Sequence, residues 1–320
     1  AQFGIKAPEY MGNHAHYIGG WSNVIILRMG IRQYRSMFIL MMFFLFGKNI
    51  IQAVERDNDS VKIVRPVVAS TYFSVGNNQV YDTYLSIKRY SGLDVGIGHE
   101  RMRVAPFGAG RLAARHLFEV DFSTTRNRPG NGMMITGMFD YSFGLYRIFR
   151  LPCKLKLLGG GELSTNVGGI YNLRNSNNPA AAKASVNAGV SGMAVYTWRV
   201  SGYPITLRYS MSLPFIGAFF CPGYGQTYYE MFSLGNTKGI VHFGSFHNQF
   251  DMSNMFTVDF PVGRSAVRIG YKNRLRSTHQ NHLVYKMYTH VFTVGIATEF
   301  VTRSQRRKVM SAASSISAFY

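Results

Sequence analysis

Ser245 stands between two histidines, His242 and His247, in the run Val-His-Phe-Gly-Ser-Phe-His over 241–247. A serine with an imidazole in reach is the start of a nucleophile–base pair for acyl transfer. That chemistry also needs a third group to orient the base, and this segment supplies no acid. His99 and Glu100 join a base to a carboxylate, but neighbouring residues on a strand point to opposite faces and cannot act on one group. Gly159-Gly-Gly161 does not follow a strand and open a helix as a phosphate loop must, and reads as a strand kink. His279 and His282 read as loop residues, while His14 and His16 fall in an N-terminal stretch set aside below. Cys153 and Cys221, the two cysteines, form no metal-ligand spacing and no disulfide framework. One bridge between them is open to an exported protein. No catalytic, cofactor-binding or metal-binding residue is assigned, and the expectation is a protein that is not an enzyme.

The elements that would position these residues have an unusual composition. Apolar residues reach 47% while charged residues are only 16% of the chain, against about 25% in soluble domains. Aromatic residues at 14% and 33 glycines suit a membrane barrel, with aromatics in two interfacial girdles and glycine at bends. The net charge of +20 asks for an acidic partner. Its basic residues are spread singly through strand-like segments instead of clustering with a recognition motif, so nucleic acid is not expected. Lipopolysaccharide phosphates and anionic solutes remain, alongside a reading as solvated basic loops.

Residues 29–53 have the layout of a signal peptide: Arg32 and Arg35 precede the ten-residue apolar block Met37 to Phe46, followed by Lys48 and a cleavage position after Ala53. The block is shorter than the roughly 20 residues a transmembrane helix needs. Residues 1–28, without an initiating Met, read as upstream or mis-started sequence, and 54–65 as an N-terminal periplasmic segment.

From 66 to 300 the chain alternates oily and polar residues. Phe118, Val120 and Phe122 oppose Glu119, Asp121 and Ser123; Ile205, Leu207, Tyr209 and Met211 oppose Thr206, Arg208 and Ser210. Phe256, Val258 and Phe260 oppose Thr257 and Asp259, Val267, Ile269 and Tyr271 oppose Arg268 and Lys272, and Phe292, Val294, Ile296 and Phe300 oppose Thr293 and Glu299. With 67–74, 94–104, 132–144, 154–163, 184–200, 226–234 and 239–248 these give about 12 strands of about ten residues, the length a tilted strand needs to cross a bilayer. The polar faces hold Thr, Ser, Gly, Arg and Asp, unlike the Lys- and Glu-rich outer faces of a soluble sandwich. The expected fold is all-β, a transmembrane antiparallel barrel of outer-membrane type, with short turns at 146–152, 200–203, 235–238 and 261–264 and outward loops at 75–93, 125–131, 164–183, 213–225 and 274–285. Residues 301–320 form a basic tail beyond Phe300, which leaves either Phe300 or Tyr320 as the terminal aromatic signal.

Asp82-Thr-Tyr-Leu-Ser-Ile-Lys-Arg-Tyr-Ser-Gly92, Gly98-His-Glu-Arg-Met-Arg103 and the closing 285–300 segment resemble a domain-of-unknown-function family of outer-membrane β-barrel proteins of the Bacteroidota. The resemblance covers about 66–303 and implies an outer-membrane barrel with no assigned reaction.

Three functions fit such a barrel. A structural or accessory subunit of an outer-membrane complex predicts a plugged lumen and an apolar partner loop carrying Phe215, Phe219, Phe220, Tyr224 and Tyr228. A narrow anion-preferring pore predicts a basic lumen lined by Arg199, Arg208, Arg268 and Lys272. A lipid-modifying enzyme predicts a polar cluster at the rim. Glu100, Arg101 and Arg103 are read as a lumen charge ladder with Glu119 and Asp121 that closes the pore. Expected partners are outer-membrane lipid and lipopolysaccharide, the barrel-insertion machinery during biogenesis and another outer-membrane protein; no cofactor is implied.

Overall fold

The computed structural model describes residues 63–300 apart from 109, 153 and 177, together with 314–315. The leader, Cys153 and most of the tail lie outside the described residues. Among the described residues, no helix is long and apolar enough to cross a membrane.

After the short strand β1 (Ile63–Val64), the chain runs up and down as β2 (Val67–Asp82), β3 (Ser86–Val104), β4 (Leu112–Asn127), β5 (Met133–Arg150), β6 (Leu155–Asn172), β7 (Ala180–Val200) and β8 (Tyr203–Phe220). An excursion follows, with helix α1 (Tyr228–Phe232) and strand β9 (Val241–Ser245), and then β10 (Gln249–Val262), β11 (Ser265–Gln280) and β12 (Leu283–Phe300). The two-residue β13 (Ser314–Ser315) pairs with β1 in parallel. Each barrel strand pairs antiparallel with its neighbour, β12 returns to β2, and β8 also pairs with β10. The result is a closed antiparallel barrel of ten strands, with β9 beside upper β8.

Two of the roughly 12 expected strands are therefore corrected. The segment 226–234 is helical because Thr227 and Glu230 form a reciprocal capping box that closes its first turn. The segment 239–248 supplies only the short β9. The remaining strands exceed the expected ten residues, reaching 21 in β7, because regular pairing continues past the apolar zone. The expected loops at 75–93, 164–183 and 274–285 are consequently mostly strand. The β11–β12 connection is a two-residue turn with Asn281 and His282 at φ of 54° and 59°, the left-handed pair that a type I′ hairpin requires. The expected turn at 235–238 belongs to the excursion, whereas 200–203 and 261–264 do contain the β7–β8 and β10–β11 turns.

Alternation sets the two faces. On β3, Leu93, Val95 and Ile97 are exposed outside, flanked by Ser91 and His99. On β12, Phe292, Val294 and Ile296 stand between His290 and Thr298. On β4, Phe118 and Phe122 flank Val120 between His116 and Thr124. Three apolar positions per strand span about 26 Å along the strand from one polar boundary to the other at 3.3 Å per residue, which a tilt of about 40° reduces to about 20 Å across the membrane, somewhat less than the apolar band of about 25 Å on membrane barrels.

Candidate functional site

The inward face is where residues from distant parts of the sequence meet. Nearest the rim where β2 begins and β12 ends, Val68, Met102, Val104, Ala113, Tyr146, Ile148, Leu158, Met193 and Val195 form a buried apolar cluster. Toward the other rim, Val80, Leu85, Tyr90, Met134, Met138, Ile170, Ala181, Tyr285 and Met287 form another. Between them lies a network of charges.

Glu100 on β3 is its centre. Its Oε1 accepts from Arg115 Nε at 2.6 Å and from Arg208 Nη1 at 2.7 Å, and its Oε2 accepts from Arg268 Nη1 at 2.8 Å. Arg268 holds Asp259 with two parallel bonds of 2.7 and 2.8 Å, the fork geometry that makes Arg–carboxylate pairs strong. A second knot forms around Glu119, which accepts from Tyr72 Oη at 2.6 Å and Lys272 Nζ at 2.8 Å. Lys272 also approaches Asp121 at 3.6 Å. A third ties Asp140 to Arg274 and Arg276, both at 2.7 Å, with Arg276 reaching Asp251 at 3.1 Å.

Ring order gives these contacts their meaning. In a ten-strand ring, β3 and β8 are five strands apart, as are β5 and β11. Glu100–Arg208 and Asp140–Arg276 therefore run wall to wall. A lumen cavity bordered by Arg115, Glu119, Asp140, Glu162 and Arg274 has a volume of about 40 Å³, room for a few waters. The arrangement cross-braces and fills a barrel that is already narrow at this strand number.

The expected lumen residues divide. Glu100, Glu119, Asp121, Arg208, Arg268 and Lys272 do meet inside. Arg101 and Arg103 are corrected: a period of two that points Glu100 inward points them out, and both are exposed. Arg199 is exposed beside the β7–β8 turn, beyond the network. The proposed ladder thus closes through Arg115, Arg208 and Arg268 instead. Sequence reasoning missed Arg115, Asp140, Glu162, Asp251, Arg274 and Arg276. Arg274 and Arg276 share the parity of Arg268 and Lys272, and were lost by placing 274–285 in a loop.

Tyr72 lies across Gly98 of the next strand, where an added Cβ would stand 2.2 Å from its ring carbon Cζ. Gly98→Val should therefore displace the ring from Glu119 and destabilise the barrel by about 1–3 kcal/mol through overpacking, seen as a lower urea midpoint in detergent.

At the rim opposite the start of β2 and the end of β12, the excursion 221–248 crosses the mouth. Tyr228 packs edge-on against Tyr84, ring centroids 6.0 Å apart, and its hydroxyl accepts from the Ala182 backbone N–H. Tyr84 follows β2 and Ala182 lies on β7, half a ring away. Burial pushes the Tyr228 hydroxyl up to about 12. Among the expected partner-loop residues, Phe219 is buried on β8 and Phe220 half-buried, while Phe215 on β8 and Tyr224 in the excursion are exposed. The expected outward loop 213–225 is corrected in its first part, since β8 runs to Phe220.

Cys221 is buried at the start of the excursion, and burial pushes its thiol up to about 11. At pH 8 its thiolate fraction should be about two orders of magnitude below that of a free thiol. Ellman's reagent applied to a Cys153→Ser protein should show correspondingly slow labelling that becomes rapid on unfolding.

Ser245 Oγ and His247 Nδ1 do meet at 2.7 Å, in an exposed turn. His242 Nε2 faces the Cys221 carbonyl at 3.3 Å instead. Among the described residues, no acid orients His247. No group of three or more potential metal-ligating side chains is found among the described residues.

Solved structures similar in fold include the β domain of the Bordetella autotransporter BrkA, 11% identical, covering 74% of this chain and 100% of that one with a TM-score of 0.36. The translocator domain of the autotransporter NalP from Neisseria meningitidis is 12% identical over 80% of this chain and 95% of its own, with a TM-score of 0.32. The outer membrane protease OmpT from Escherichia coli is 8% identical over 74% and 96%, with a TM-score of 0.35. No curated protein matches the chain. Residues 36–307 match the model of a family described as a protein of unknown function, DUF3316. With a match spanning most of the sequence, the chain belongs to the DUF3316 family.

Proposed function

We propose that this protein is an exported, closed outer-membrane barrel that serves as a structural or accessory subunit, working through its outer wall and the excursion over its mouth. The wall-to-wall ion-pair network carries this reading, because it occupies the space through which a solute would move. The apolar outer band supports a bilayer as the surrounding medium, with outer-membrane lipid and lipopolysaccharide its contacts. Both barrel ends at one rim support a periplasmic placement of that rim, reached after removal of the 29–53 leader and insertion by the barrel-assembly machinery. The Bacteroidota affiliation implied by the 82–103 motifs belongs to the same reading. Tyr224, Tyr229, Phe232 and Leu234, all exposed on the excursion, offer another outer-membrane protein an apolar contact. An anion pore is the second reading, favoured only by basic residues in the lumen, and these are matched there by carboxylates. A lipid-modifying activity ranks last, having the exposed Ser245–His247 contact and no orienting acid.

The test is single-channel recording of the folded full chain in a planar bilayer, with insertion verified separately by vesicle flotation. Insertion without conductance steps is expected; stable anion-selective steps would replace the subunit reading with the pore.

A further inference from the structure

Arg101 and Arg103 stand on the outer wall, just beyond the apolar band and toward the rim that holds the barrel's two ends. Register places Arg101 directly opposite His116 and Arg103 directly opposite Ala114 on β4. Directly opposed side chains on a sheet have Cβ atoms about 5 Å apart, which places Arg101 and His116 side by side. Arg147 on the outer face of β5 lies diagonally beyond, opposite Leu112 and two residues from the Leu145 that faces Ala114. Ala114 is thus a low point in the wall, ringed by Arg101, Arg103, His116 and Arg147.

Among the described residues, no acid offsets this charge. The outward positions of β3, β4 and β5 carry no Asp or Glu, and among the described residues Arg101 and Arg103 make no ion pair. His116 is engaged sideways with the Tyr141 hydroxyl at 3.0 Å, and its ring packs 4.9 Å from that of Phe143. Apolar wall lies immediately toward the band, with Ile97 and Phe118 exposed. Cationic forks beside an apolar wall match one ligand chemistry, an anionic phosphate whose molecule continues into hydrocarbon.

We propose that Arg101, Arg103 and His116, with Arg147 at the edge, bind the phosphate of an anionic lipid headgroup in the leaflet at the chain-end rim. Arginine suits the role because its planar fork can hold two phosphate oxygens at once. The acyl chains would lie along Ile97 and Phe118. This site rests on the membrane reading above and gives that reading a specific lipid contact.

The experiment is native mass spectrometry of the folded full chain in detergent, titrated with phosphatidylglycerol and read as the constant for the first bound lipid. Arg101→Gln with Arg103→Gln should weaken it about thirtyfold, since each basic side chain near an anionic lipid contributes roughly fivefold. Arg101→Lys with Arg103→Lys should retain most of the binding, and Arg126→Gln with Arg128→Gln, at the opposite rim, should leave it unchanged. Equal binding by wild type and the Gln pair overturns the site, as does equal loss in the opposite-rim pair. Displacement of the lipid by excess inorganic phosphate would assign the patch to a soluble anion and overturn the lipid assignment. Flotation of the wild-type chain with phosphatidylcholine vesicles is scored separately, so that failure to enter a bilayer counts against the membrane reading and failure of the titration counts against the site.

Discussion

Glu100→Ala should destabilise the barrel by about 3–5 kcal/mol, the cost of leaving buried charges without their partner. Three guanidinium groups converge on this carboxylate. Asp259 still holds Arg268 and Glu162 stands 3.7 Å from Arg115, but the variant removes the one carboxylate common to all three guanidinium groups and leaves their mutual repulsion less compensated. Urea-induced loss of the folded, heat-modifiable band on gels would measure the effect. Glu100→Gln combined with Arg208→Met removes a charge of each sign and keeps volume. It should restore most of the lost stability, because replacing both members of a buried pair is far milder than removing one. A double variant no more stable than Glu100→Ala alone would show that Arg115 and Arg268 still need the Glu100 carboxylate once Arg208 is gone.

Tyr228→Ala should release the excursion and leave the barrel intact. The side chain contributes one hydrogen bond and one aromatic pair across the mouth, together about 2 kcal/mol. Local opening governs cleavage when reclosing is fast, so chymotrypsin should cut within 224–234 about thirtyfold faster. The urea midpoint of the barrel should not move, since neither apolar cluster within the lumen includes Tyr228. A parallel fall in that midpoint would mean that the excursion and the barrel open as one unit.

Much of the fold was legible because barrel strands follow a period of two. Phe118 to Ser123 and Thr206 to Met211 reveal their faces unaided, and the inward placement of Glu119, Arg208, Arg268 and Lys272 follows from parity. What stayed hidden depended on register and on strand ends. Glu100 and Arg208 lie 108 positions apart in the sequence, and only closure of the ring makes them opposite. Arg101 and Arg103 were assigned to the lumen because charge was given more weight than alternation, which sends them outward once Glu100 is fixed inward. The strands of β2 and β6 ran on through Asn77, Asn78, Gly168 and Gly169 because turn-forming residues are tolerated where paired neighbours hold the backbone. The Thr227–Glu230 capping signal was present in the sequence, but the aromatic run around it resembled a strand.

The β8–β10 seam is unlike the others. Its ladder covers only Thr206–Ser212 against Ser253–Asp259, after which Pro214, lacking an N–H, sits where β8 parts from β10 and takes β9 instead. The seam joining the chain ends, β12 to β2, uses the whole 16-residue length of β2. A ring opens first where its hydrogen-bonded join is shortest. In this molecule that point lies inside the polypeptide and not where β12 meets β2, so a heated or half-assembled barrel would open into one sheet with β8 and β10 as its edges and the first and last barrel strands still paired within it.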